Sequence, residues 1–322
     1  MTARSGHPLL RIDDLTVSYD GGLEVVDGLS LHVRSGEMVA LVGESGSGKS
    51  QTGLAVLGLC GARARLSGTI VYGQRPFDAA DQASRSTVRG RGIAMVFQDA
   101  AATLNPVRTI GGQLIETIRH HRRLDGTSAR QEAVRLLDRV GIADPRRGKV
   151  AYPHEFSGGM NQRAMIALAL AGGPRLIIAD EPTAALDPLA AGKILTLLDD
   201  LRCREGLAVI FISHSLGQVR AYADRTYVLH KGRLVESGAT ADVLKAPRHP
   251  YVHDLIDAEE DPLRAAIRLD RTGRTADGAG GGCRFASRCG RASPVCVQRR
   301  PVLSRLPDGR HAACHHPIGD GP

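Results

Sequence analysis

Met38-Val-Ala-Leu-Val42, then Gly43-Glu-Ser-Gly-Ser-Gly-Lys49-Ser50, then Gln51-Thr-Gly-Leu-Ala-Val-Leu-Gly-Leu59: these three segments, in this order, decide the fold. The first is a short apolar run of the kind buried in a parallel sheet. The last reads as a helix, and the middle one fits the pattern G-x-x-x-x-G-K-[ST]. Strand, glycine loop and helix in succession are the context that gives this pattern meaning. Glycines let the backbone curl into a nest of N–H donors, and the helix N-terminus adds partial positive charge. Such a loop cradles the phosphates of a nucleoside triphosphate. Gly43, Glu44, Ser45, Gly46, Ser47 and Gly48 form its wall and Gln51 opens the helix. Lys49 is placed to reach the β- and γ-phosphates, and the Ser50 hydroxyl to ligate Mg2+.

Outward from the loop, strands and helices alternate. Residues 9–20 alternate as a strand ending near Tyr19, and Leu29–Val33 and residues 68–74 add two more short strands, so an antiparallel sheet is expected before and after the loop. Residues 75–92 are polar, arginine-rich and without a clear period. Ile93–Phe97 is a buried strand that delivers Gln98. Between 110 and 140 the pattern is helical, with Ile110, Leu114, Ile115 and Ile118 on one face and Ala133, Leu136, Leu137 and Val140 on another, and Gly141 as the stop. A helix over 160–171, a strand over 176–179, a helix over 188–204, a strand over 208–212, a helix over 215–222 and a hairpin over 225–236 follow. This alternation predicts an α/β protein with a parallel sheet, interrupted between 99 and 171 by a helical insertion.

Bulk properties bound the rest. The chain has 322 residues, 42% hydrophobic and 24% charged, ordinary for a water-soluble domain with an appendage. No run approaches the roughly 20 apolar residues of a membrane span, and the N-terminal residues lack the apolar core of a secretory signal, so a cytosolic location is expected. The net charge of +8 is uneven: residues 261–322 hold eleven Arg against five Asp, a balance of +6. A general nucleic-acid-binding surface is therefore not expected, and Phe285 is the one aromatic residue in that segment that could stack on a base. Cys60 and Cys203 are isolated, whereas Cys283, Cys289, Cys296 and Cys314 crowd the same basic tail. In a reducing compartment such a set favours metal over disulfide.

Two further constellations carry chemistry. The run Leu176-Ile-Ile-Ala-Asp180-Glu181 is an apolar strand delivering two adjacent carboxylates, one available to Mg2+ and one to polarise an attacking water. Ser157-Gly158-Gly159-Met160 opens a helix as a second anion cradle, which makes sense if it closes over a nucleotide held by another subunit.

Taken together, these residues resemble the ATP-binding cassette of ABC transporters over about residues 9–245. Gly43–Ser50 looks like its Walker A loop, Gln98 its Q-loop glutamine and Phe156–Met160 its signature. Asp180-Glu181 looks like Walker B, Ala185-Leu186-Asp187 the D-loop, His214 the switch histidine and Tyr19 the aromatic that stacks on adenine. Met160 replaces the usual signature glutamine, as is normal in the oligopeptide, dipeptide and nickel importer branch, which Tyr152-Pro-His-Glu-Phe-Ser-Gly-Gly-Met160 is similar to.

The resemblance implies a P-loop NTPase (RecA-like) core with an antiparallel β subdomain over 1–98 and 172–245. It implies an inserted helical subdomain over 99–171 and a C-terminal extension over 246–322, cysteine-rich from about 278. It also implies roles: Glu181 as general base, His214 on the γ-phosphate and attacking water, and Gln98 on Mg2+ with Ser50 and Asp180. Asp187 couples the two sites of a head-to-tail pair, whose signatures act in trans. A second cassette, expected to be a paralogue, two membrane permease subunits and an extracytoplasmic binding protein are the implied partners, at the cytoplasmic face of the membrane. The tail stretch Cys283-Arg-Phe-Ala-Ser-Arg-Cys289 looks like the extension of peptide-importer cassettes, which can hold a [4Fe–4S] cluster. Zinc stays an alternative because His311, His315 and His316 are near, and the arginines are expected to offset thiolate charge. The function expected is ATP hydrolysis for peptide import. A nickel or metal-chelate importer and a non-transport ABC ATPase are the alternatives.

Overall fold

The computed structural model describes residues 7–260 and 281–319. An antiparallel sheet of β1 (Leu10–Tyr19), β2 (Leu23–Val33), β4 (Arg65–Tyr72) and β5 (Arg75–Asp78) has the spatial order β2-β1-β4-β5. A larger sheet contains β3 (Met38–Val42), β6 (Ile93–Val96), β7 (Leu176–Asp180), β8 (Ala208–Ile212), β9 (Arg225–His230), β10 (Arg233–Ala239), β11 (Ser304–Arg305) and β12 (His311–Ala312), in the order β11-β12-β10-β9-β3-β8-β7-β6. Its five strands from β9 to β6 run parallel; β10, β12 and β11 continue it antiparallel.

The larger sheet is covered on both faces, which is why its strands read as continuous apolar runs. Val39, Leu41, Ile178, Ile210 and Ile212 pack toward the antiparallel sheet, among Leu10, Ile12, Leu15 and Ile70. Their alternates Ala40, Val42, Ile177, Ala179, Val209 and Phe211 pack toward the helices, among Leu114, Leu136, Met165 and Leu195.

The helices are α1 (Lys49–Leu57), α2 (Gln82–Val88), α3 (Ala100–Thr103), α4 (Ile110–Arg122), α5 (Gly126–Arg139), α6 (Pro145–Val150), α7 (Gly158–Ala171), α8 (Pro188–Glu205), α9 (Leu216–Tyr222), α10 (Thr240–Lys245), α11 (Pro250–Glu260) and α12 (Pro294–Gln298). The inserted block is α3 to α7. Polar side chains set its starts: Thr109 accepts from the Gly112 N–H to open α4, Asp125 from Thr127 and Ser128 to open α5, and Asp144 from Arg147 to open α6. No helix among the described residues is long and apolar enough to cross a membrane.

The structure departs from the expected elements in two places. The stretch without a period, 75–92, contains β5 and α2, and its arginines have buried work. Arg85, 3% exposed, donates to the Ala55 carbonyl at 2.8 Å, and Arg89 to that of Leu57 at 2.7 and 3.1 Å, so together they cap the last turn of α1. The second departure is the tail. Glu236 and Ser237 of β10 pair with Ala312 and His311, so the tail adds two strands to the core's own sheet. The Glu236 carboxylate, fully buried, accepts from the Arg248 and His249 N–H groups and lies 3.5 Å from the Arg310 guanidinium, which compensates its burial. Residues 278–280, the start of the stretch expected to be cysteine-rich, lie outside the described residues.

Candidate active site

The glycine loop joins the C-terminal end of β3 to α1, and two of its glycines are sterically obligatory. A Cβ on Gly43 (φ +149°) would stand 2.1 Å from the Leu229 carbonyl oxygen, and one on Gly48 (φ +99°) 2.5 Å from that of Val25. The loop is thus pressed against β9 and β2 from behind. Lys49, 5% exposed, donates from Nζ to the carbonyls of Gly43 at 2.8 Å and Glu44 at 3.0 Å. Burial lowers its pKa, and the charges of Glu181, Asp180 and Glu44 act against that shift.

Three strand ends converge on this loop. At the end of β7, Asp180 accepts from the Ser50 hydroxyl at 2.9 Å. Burial raises its pKa; the Ser50 bond opposes the rise and the Glu181 charge adds to it. Glu181 adopts a left-handed backbone (φ +43°), and its N–H donates to the Ile212 carbonyl at 3.0 Å. Its Oε2 accepts from Gln98, just after β6, at 3.2 Å and lies 3.4 Å from Nδ1 of His214, just after β8. Residues 83 positions apart are in contact because neighbouring parallel strands end at one edge. Hydroxyl, two carboxylates, amide, imidazole and ammonium therefore share one pocket, with hard oxygen donors from Ser50 and Asp180 suited to Mg2+.

The remaining expected residues lie elsewhere. Tyr19 donates to the Gln51 side chain at 2.7 Å and the Cys60 carbonyl at 3.2 Å, which ties its ring to α1. Ser157 caps α7, accepting from the Met160 N–H at 3.3 Å, and Asp187 caps α8, accepting from Leu189 and Ala190 at 3.0 and 2.9 Å. These contacts are within their own helices, and among the hydrogen bonds of the described residues none joins the signature to the glycine loop.

The tail cysteines are close enough that the thiol charges influence one another. Burial pushes Cys314 up to about 11, countered by the His316 N–H, with the other three thiols adding. Yet among the described residues no group of three or more His, Cys, Asp or Glu side chains is arranged to hold a metal ion. A zinc site would put its thiolates about 3.8 Å apart, from Zn–S bonds of about 2.3 Å in a tetrahedron. The thiols as placed do not form such a site. The tail arginines also differ from expectation. Arg284 and Arg300 pair with Asp27, and Arg288 with Glu44, so they neutralise carboxylates of the core rather than thiolates.

Sequence reading missed the residues that brace the pocket. Tyr251 in α11 accepts from the Glu44 N–H at 2.8 Å. At the other end of α11, Glu259 accepts from the Leu216 and Gly217 N–H groups at 2.8 and 3.1 Å, capping α9 two residues beyond His214. Local sequence carries no signal for either, because the partners lie 207 and 43 positions away.

Comparison with known proteins agrees with this geometry. Residues 26–184 match the ABC transporter family, and residues 235–296 the oligopeptide/dipeptide transporter C-terminal region. An oligopeptide transport ATP-binding protein of Salmonella typhimurium is 39% identical, with 96% of this chain and 94% of that protein covered. A dipeptide transport ATP-binding protein of Escherichia coli is 38% identical, covering 97% and 98%. Among solved structures, a dimeric ATP-binding cassette in a post-hydrolysis state, bound to ADP and Pi, superposes with a TM-score of 0.62 at 27% identity over 72% of this chain and 98% of that one.

Proposed function

The chain belongs to the ABC transporter ATP-binding family, an ATPase family, and from that premise we propose that it is the ATP-hydrolysing subunit of a peptide importer. The observation that supports peptides most directly is the C-terminal match over 235–296, beside relatives named for peptide transport that align along nearly their whole length. The nickel and metal-chelate reading has no comparable support. Deleting the gene from its host should abolish uptake of a labelled di- or tripeptide, and re-expression should restore it. Intact peptide uptake with lost nickel uptake would overturn the assignment.

Within the pocket, Lys49 and the loop N–H groups bind the β- and γ-phosphates, and Ser50, Asp180 and Gln98 are the residues to hold Mg2+. Mg2+ supplies neutralisation of phosphate charge. Glu181 takes the proton of the attacking water, while His214 and Gln98 hold its carboxylate in place from either side. The signature, remote from its own loop, serves a nucleotide on a second cassette, and Asp187 lies at that pairing face. Membrane subunits at the cytoplasmic face dock on the inserted helices, where Val107, Val150 and Tyr152 are exposed at 80%, 62% and 38%. The Ile110 N–H bond to the Ala151 carbonyl at 2.9 Å brings these segments side by side. The unit boundaries are 1–98 with 172–245, 99–171 and 246–322.

For the tail, four clustered thiols are a donor set chemically suited to a [4Fe–4S] cluster, whose larger body spaces its ligands more widely than one zinc ion does. Cys283, Cys289, Cys296 and Cys314 would hold it. Anaerobically purified chain should then be brown, with about four iron and four sulfide per chain. Colourless protein without sulfide would remove the cluster from the account.

A further inference from the structure

The phosphate loop is held at Glu44 by the C-terminal extension. Arg288 grips the Glu44 carboxylate with both terminal nitrogens, at 3.0 and 3.1 Å, across 244 positions of sequence. The Glu44 N–H is simultaneously tied to Tyr251, whose ring is fully buried. Phe285 joins the two holds: its ring centroid lies 5.5 Å from that of Tyr251 and 5.4 Å from that of His230, and the Arg288 guanidinium carbon sits 5.4 Å from it. Arg284 bonds the carbonyl of Lys231 in the β9–β10 turn, while the next residue of that turn, Gly232, donates to the Ser47 carbonyl at 3.0 Å. The tail thus reaches the loop twice, directly at Glu44 and through the turn at Ser47.

We propose that Arg288, seated one residue before Cys289, is a positioning residue for the phosphate loop, so that docking of the cysteine segment and binding of Mg·ATP favour each other. The physical case is chemical and geometric. A bidentate guanidinium–carboxylate pair is directional as well as charge-assisted, so it fixes where Glu44 lies and not merely its charge. Glu44 is the second residue of an eight-residue loop whose first glycine is wedged against Leu229. Movement at Glu44 therefore shifts the Gly43 and Glu44 carbonyls, which hold Lys49. Linkage makes the coupling reciprocal: whatever factor docking adds to nucleotide affinity, nucleotide adds to docking.

The proposal rests on Gly43–Ser50 being the phosphate loop. Lys49→Ala tests that separately, because it should abolish Mg·ATP binding whether or not Arg288 acts on the loop. Arg288→Ala should weaken Mg·ATP binding by the full chain about tenfold and, in the assembled complex, raise KM with kcat at saturation nearly unchanged. Arg288→Lys should recover part of this. Glu44→Gln should weaken binding by a similar factor, and the double variant should be no worse than either single, as expected for one shared interaction. In the unmutated chain, Mg·ATP should slow hydrogen exchange of the backbone amides of 285–289 about tenfold. That measurement stands even if a variant folds poorly. Unchanged affinity in Arg288→Ala, additive losses in the double variant, or tail exchange indifferent to Mg·ATP would each overturn the proposal while leaving the Lys49 result intact.

Discussion

Glu181→Gln is expected to reduce ATP turnover by about 10²–10⁴-fold while leaving Mg·ATP binding intact. The substitution keeps the shape and one oxygen, so the Gln98 contact at 3.2 Å can persist, but it removes the group that accepts a proton. Binding is spared because Lys49 and Ser50, the residues proposed to hold the phosphates and Mg2+, hydrogen-bond to Gly43, Glu44 and Asp180 and not to Glu181. Loss of a negative charge near the γ-phosphate position should tighten binding if it changes it at all. Stopped turnover with retained affinity, measured on the assembled complex, is the signature of a base. Hydrolysis within a few fold of normal would move that role to another group, with His214, 3.4 Å away, the first to examine. His214→Ala would then carry the larger loss.

The residues proposed to act on the nucleotide from the strand ends were legible because apolar runs are easy to read. Three buried strands, β6, β7 and β8, predict that Gln98, Asp180 with Glu181, and His214 meet at one edge of the sheet, and the Ser50–Asp180 bond joins the loop after β3 to the end of β7, the strands on either side of β8. Charged side chains with buried tasks were not legible. Arg85 and Arg89 look like solvated polarity in a stretch without a period, yet they cap α1. Arg284, Arg288 and Arg300 look like counter-charges for thiolates because the thiols are their sequence neighbours. Their actual partners, Asp27 and Glu44, lie some 240 to 270 positions earlier. Sequence reports the sign of a charge and its neighbours in the chain; only the fold chooses which opposite charge comes near. The tail strands were hidden for a related reason. Two-residue strands have no period to detect, and β12 forms only because β10 offers an open edge.

Gly158 gives the sharpest test of the trans arrangement, because its own fold does not require a glycine there. Gly158 and Gly159 are in α7 without a left-handed φ, and a Cβ on either would meet only ordinary contacts, 3.6 Å from Leu186 and 3.8 Å from Ala190. Glycine in a helix costs up to about 1 kcal/mol relative to alanine. Two in succession at a helix start therefore carry a stability cost that the chain's own packing does not demand. Their bare backbone is explained if another surface must approach it closely, as the phosphates of a second cassette's nucleotide would. Gly158→Ala should accordingly leave the isolated chain as stable or slightly more stable, with unchanged Mg·ATP affinity at its own loop. In the assembled complex, it should lower turnover by about 100-fold, the scale of losing oriented donors on a reacting phosphate. Gly192→Ala in α8, where a Cβ meets nothing within 4 Å, is the matching control and should gain helix stability without loss of turnover. If Gly158→Ala weakens nucleotide binding by the isolated chain, the signature acts on its own loop. If it leaves the complex fully active, the glycines are a property of α7 alone.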